Sequence, residues 1–154
     1  MRTSAKAIKL IKHHEGVRSK PYRCPAGLWT VGVGHLIGDG KSLPQSWNKT
    51  FTQEEIDGIL RSDLRRFELG VHKMLPNVQL TQGQFDCIVS FSFNTGLGLF
   101  QRSTFRQAVL RGDHEAAMES LMKYCKARVK GVLTELRGLK NRRLDEKALY
   151  EGKI

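Results

Sequence analysis

His14-Glu15-Gly16, Lys20-Pro21-Tyr22-Arg23-Cys24-Pro25 and Leu28-Trp29-Thr30-Val31-Gly32-Val33-Gly34-His35 follow one another within a short segment near the start of this chain of 154 residues. Upstream, Ser4 is a helix cap, Ile8 and Ile11 repeat on one face, and Gly16 is placed to end the helix. Glu15 is therefore expected at a helix C-terminus, against partly negative carbonyls that favour its protonated form. Residues 20–36, rich in Gly, Pro, Trp, Val and Tyr, predict a small hairpin or three-stranded sheet. An acid, a thiol, a hydroxyl and an imidazole thus fall on one helix end and one short sheet. Such a set can protonate a leaving group on one side of a bond and deliver a nucleophile from the other.

Further along, Gly38-Asp39-Gly40 predicts a turn and residues 41–51 an irregular loop. Thr52-Gln53-Glu54-Glu55 is a capping box, and Ile56, Ile59, Leu60, Leu64, Phe67, Val71, Met74 and Leu75 recur behind it at helical spacing. The pattern predicts one helix over about residues 53–74, roughly 33 Å long by helix rise. Thr81-Gln82-Gly83-Gln84 opens a more apolar helix that stops near Gly96. Shorter helices are expected from Ser103 to Arg111 with Gly112 behind it, from Asp113 to about Lys123, and from about Leu139 to Tyr150.

The length suits a single domain with two lobes: a sheet-containing lobe over about residues 15–60, and a helical lobe over about 75–154 plus helix one. The long helix would join them, and an active-site cleft would lie between. The fold class expected is α+β, mainly helical. No apolar run approaches the roughly 20 residues of a membrane span. Residues 1–12 lack the continuous apolar stretch of a secretory signal, so a cytoplasmic location is expected. Net charge is +11, which favours anionic partners such as nucleic acid, lipid headgroups or an acidic cell wall. The 3 Cys residues cannot all pair within the chain and fit no zinc spacing, so neither a metal nor another cofactor is expected.

Three blocks in order give the chain a resemblance to the phage lysozyme (endolysin) family of the T-even type. The first is Glu15 at a helix end, Cys24 nine residues on, Thr30 six further, and Gly32-Val33-Gly34-His35 closing the hairpin. The second is residues 80–96, including Ser90-Phe91-Ser92-Phe93-Asn94-Thr95-Gly96. The third is Gly138-Leu139-Lys140-Asn141-Arg142-Arg143, similar to the family's Gly-Leu-x-x-Arg-Arg segment. The resemblance implies a lysozyme-like fold and a muramidase that cuts the β-1,4 bond between N-acetylmuramic acid and N-acetylglucosamine in peptidoglycan.

It implies Glu15, Cys24 and Thr30 as catalytic, with Cys at a position where Asp is commoner. A thiolate can accept a proton from water, which inverts the anomeric centre, or attack carbon directly, which retains it. Leu36, Phe93 and Ser103 fall at sugar-contacting positions. His35 and Asp63 fall where an imidazole and a carboxylate pair, and Arg142 where a cation faces the catalytic Glu, with Arg143 a neighbour of little consequence. The expected partner is peptidoglycan, with anionic outer-membrane lipid a second candidate, and the expected state is a monomer. A free endolysin is preferred over a virion part, and it would need a separate membrane-pore protein to reach the wall.

The main rival is a cationic membrane-active or anionic-polymer-binding protein. Basic residues crowd Lys123 to Lys147, and a last helix bearing Leu139, Leu144 and Leu149 could disturb an anionic membrane. Nucleic acid is disfavoured, because few aromatics interleave with that charge.

Overall fold

The computed structural model describes residues 1–154. The fold is α+β and lysozyme-like: seven α-helices, a three-stranded antiparallel sheet and a separate two-stranded hairpin. The chain divides into two compact units, one of residues 9–66 and the other of residues 1–8 with 67–154.

In the first unit, helix α1 (Ala5–Glu15) ends where Gly16 turns to φ +80° and donates its N–H to the Lys12 carbonyl. That is the left-handed stop the sequence called for. Strands β1 (Arg18–Arg23), β2 (Trp29–Gly32) and β3 (His35–Leu36) follow in meander order. Central strand β2 is buried along Thr30, Val31 and Gly32. The loop of residues 41–51 holds one turn of 3-10 helix at Gln45–Trp47.

Helix α2 spans Gln53–Met74, as its periodicity predicted. Thr52 Oγ1 accepts from the Glu55 N–H and Glu55 Oε1 from the Thr52 N–H, completing the capping box. Ile56, Leu60 and Leu64 are buried in the first unit, and Phe67, Val71 and Leu75 in the second.

In the second unit, helix α3 (Gln82–Thr95) is buried continuously from Phe85 to Ser92. The ring of Phe91 meets those of Phe105 at 5.2 Å and Tyr124 at 5.1 Å, edge to face. Gly83 lets α3 approach helix α7 (Arg137–Tyr150), because a Cβ there would sit 2.2 Å from the Leu149 carbonyl oxygen. Helices α4 (Leu97–Gln101), α5 (Thr104–Leu110) and α6 (His114–Leu121) lie between them in sequence.

Three sequence expectations need correction. Strands β4 (Lys126–Val129) and β5 (Val132–Glu135) form a hairpin where only a basic stretch was expected. Lys130 and Gly131 both take positive φ at its tip, a turn geometry usually announced by Asn-Gly. Helix α7 is also not an exposed cationic surface. Arg142, Arg143, Glu146 and Leu149 are all buried, so the membrane-disturbing helix of the rival reading is not supported. Arg143 is no incidental neighbour either. Its Nε lies 2.7 Å from Glu146 Oε1, and it donates to Asn94 Oδ1 at 2.8 Å.

Candidate active site

Glu15 is the last residue of α1 and is half-buried. Its carboxylate lies beside the turn joining β2 to β3. A Cβ built on Gly34, whose φ is +66°, would stand 3.5 Å from Glu15 Oε1. Glycine at that turn therefore accepts the left-handed backbone and also leaves the acid room.

Cys24 closes the other end of the same sheet. Beyond the Arg23–Trp29 pair, the Cys24 N–H donates to the Leu28 carbonyl and the Cys24 carbonyl accepts from Gly27, so the thiol sits on a tight loop. A hydrogen bond from the Leu28 backbone holds the Cys24 thiol below the ordinary thiol range; partial desolvation opposes this, and the Ala26 backbone and Thr30 hydroxyl add to the lowering. The side chain is partly exposed, as an attacking thiolate must be. Cys87 and Cys125 are buried, and burial pushes the Cys87 thiol well up.

Thr30 is buried in the middle strand, paired with Tyr22 on β1 and Leu36 on β3. Its hydroxyl also reaches the Leu28 carbonyl at 3.0 Å. The structure thus brings Cys24 and Thr30 into hydrogen-bond reach and sets Glu15 over the turn that ends Thr30's own strand.

His35 Nδ1 and Asp63 Oδ2 are 2.8 Å apart, linking β3 to α2. Leu36 is 43% exposed on the Thr30 side of the ladder. Phe93 is half-buried against Phe67 at 5.2 Å. Ser103 caps α5: it accepts from the Arg106 N–H and donates to the Phe100 carbonyl. Arg142 donates to the Ser90 carbonyl at 3.1 Å and to Glu146 Oε2 at 3.2 Å.

The buried cluster of Arg142, Arg143 and Glu146 is what sequence reasoning missed. Its signal was present, since Glu146 follows the two arginines by four and three residues on one helix. Burial pushes the Glu146 carboxyl up, against the pull of Arg143 and Arg142.

The family model "Phage lysozyme" matches residues 12–146. An endolysin of Acyrthosiphon pisum secondary endosymbiont phage 1 is 40% identical over 156 residues, covering 99% of each chain. Among solved structures, the endolysin from Escherichia coli O157:H7 phage FAHEc1 superposes with a TM-score of 0.87 at 32% identity, over 100% of this chain and 96% of that one. The muramidase domain of SpmX from Asticaccaulis excentricus gives a TM-score of 0.85 at 32% identity, over 97% of each.

Proposed function

The chain belongs to the phage lysozyme family, and from that premise we propose that it is an endolysin of the muramidase type. Glu15, Cys24 and Thr30 cut the β-1,4 bond between N-acetylmuramic acid and N-acetylglucosamine in peptidoglycan, for lysis of a host cell. What supports this is the placement of the three side chains along one small sheet, with the acid over Gly34 at one end and the thiol beside Thr30 at the other.

Glu15 gives its proton to the bridging oxygen as the glycosidic C–O bond breaks, and positive charge develops at the anomeric carbon. The Cys24 thiolate works from the opposite face of the ring. Its backbone donors lower the thiol's pKa and so favour the thiolate. Attack by sulfur forms a thioglycoside that water then hydrolyses, with net retention. Removal of a proton from a water held at the Thr30 hydroxyl delivers hydroxide in one step, with inversion. NMR of the first-formed anomer separates the two courses.

Leu36, Phe93 and Ser103 contact sugar, while His35, Asp63 and Arg142 hold the framework. No helix is long and apolar enough to cross a membrane, and a separate pore protein releases the chain from the host cytoplasm. It acts as a monomer. Anionic lipid is a secondary partner at the β4–β5 hairpin, where Val132 and Leu133 are 65% and 58% exposed beside Lys126, Arg128 and Lys130.

Digestion of purified peptidoglycan tests the activity by product mass. Fragments with N-acetylmuramic acid at the new reducing end are expected. Cleaved stem peptides, or N-acetylglucosamine at that end, would overturn it.

A further inference from the structure

We infer that the sheet-bearing unit carries a second sugar site, on the face of its sheet opposite Thr30, which holds an N-acetylhexosamine ring of a glycan strand without cutting it. The assignment of the polymer rests on the peptidoglycan reading above.

Neighbouring residues on a strand face opposite ways. Thr30 and Leu36 form one pair across β2 and β3, and Val31 and His35 form the next. His35 therefore points away from the Thr30 side. There it borders a pocket of about 650 Å³ walled by Trp47, Phe51 and the first turns of α2. That volume is in the range of small-ligand sites.

The pocket has the chemistry a pyranose requires. Trp47 stacks on His35 at 5.7 Å between centroids and 15° between planes. The His35 ring is in turn fixed by Asp63 at 2.8 Å, so the indole is held in orientation before any ligand arrives. Phe51 leans on the same indole at 5.4 Å and 44°, so the two rings make an apolar wall, and a sugar packed against it needs donors and acceptors at the rim for its hydroxyls. The ion pair of Lys49 with Glu55, and Ser62, supply both. Both carboxylates of the pocket are already hydrogen-bonded within it, Asp63 with His35 and Glu55 with Lys49. A neutral sugar fits that pairing better than a charged stem peptide.

Gly58, on the α2 wall of the same pocket, is an independent observation. Glycine inside a helix weakens it. Elsewhere in α2 the reason is packing: a Cβ on Gly70 would press within 2.7 Å of Leu97 Cδ1. On Gly58 a Cβ would meet nothing within 4 Å. No neighbour in the chain requires the bare backbone there. It keeps the pocket wall open toward a ligand.

The probe is N-acetylchitotetraose, titrated into Glu15→Gln protein so that nothing is cut, with the two Trp indole N–H resonances and isothermal titration as readouts. Two classes of site are expected, one of which moves the Trp47 resonance. Trp47→Ala and Gly58→Leu should each weaken that class by roughly tenfold, a loss of one decade in Kd, and leave the other class unchanged. Gly58→Leu fills the pocket with a better helix former, and a melting temperature at or above that of its parent separates its loss of binding from unfolding. With Glu15 intact, both variants should keep their rate on soluble glycan fragments and lose affinity for insoluble sacculi. If Gly58→Leu binds the oligosaccharide as its parent does, the second site does not exist, whatever Trp47→Ala does. Cleavage of the soluble fragments by the Glu15-intact variants reports on the muramidase reading separately.

Discussion

Arg143→Ala should cost this protein about 3–5 kcal/mol at neutral pH, the usual result of removing one partner from a buried ion pair. The guanidinium is fully buried. It lies 2.7 Å from Glu146 Oε1, donates to Asn94 Oδ1 at 2.8 Å and to the Tyr124 carbonyl at 3.3 Å, and sits 5.0 Å from the centre of the Phe91 ring. Truncation leaves Glu146, itself fully buried, with Arg142 and Ser90 as its partners. For a chain of this size the melting temperature should fall by roughly 10 °C. The deficit should also depend on pH. Burial already raises the Glu146 carboxyl, and losing Arg143 removes the larger of the two opposing charges, raising it further. Where a folded carboxyl holds its proton above the ordinary range, stability is full below that range and is lost as pH rises through the raised value. The variant should therefore lie closer to wild type at pH 5 than at pH 8. Thermal and urea melts followed by circular dichroism at both values measure this. The double variant Arg143→Met with Glu146→Leu should recover most of the loss. A deficit below about 1 kcal/mol, or one that does not grow between pH 5 and pH 8, would refute the reasoning, since a solvated arginine costs no more than that.

Four further outcomes are expected. Cys24→Ala should fold and be inactive while Cys24→Asp keeps substantial activity. Iodoacetamide should modify Cys24 ahead of Cys87 and Cys125, with a pH midpoint that moves up in Thr30→Val as the hydroxyl's contribution is lost. His35→Asn should lower stability by about 1 kcal/mol, because both partners are partly exposed and water screens their attraction; denaturant melts in low and moderate salt would check it. Gly83→Ala should be disproportionately damaging for one methyl group, since the added carbon would collide with the Leu149 carbonyl; a melting temperature within 2 °C of wild type, under about 1 kcal/mol for this size, would contradict that packing.

Much of this architecture could be read from local chemistry. Gly16, Thr52 and Thr81 each mark a helix end by a mechanism confined to one turn, and the helices end where those residues indicate. The apolar period of α2 persists over all of its 22 residues, so its extent was also legible. The hairpin of residues 126–135 was not. Its strands have four residues each, their alternation is diluted by Lys and Arg, and the Lys130-Gly131 turn is a weak signal. The Arg142–Arg143–Glu146 cluster failed for a different reason. Helical spacing shows that these charges can pair, but only tertiary packing decides whether they do so in water or inside the protein. At the site, the identities of Glu15, Cys24 and Thr30 came from the family resemblance. The contact of Cys24 with Thr30, and the place of Glu15 over Gly34, needed coordinates. Trp47 and Gly58 sat in a stretch read as irregular loop and ordinary helix, where neither residue type carries a pocket's signature by itself.

The release of reducing ends from purified peptidoglycan by wild type and by Glu15→Gln, at equal concentration and with matched melting temperatures, tests the central claim most directly. Removing the general acid should lower the rate by roughly 10²- to 10⁴-fold while binding to sacculi persists. A Glu15→Gln protein that releases reducing ends at the wild-type rate would contradict it.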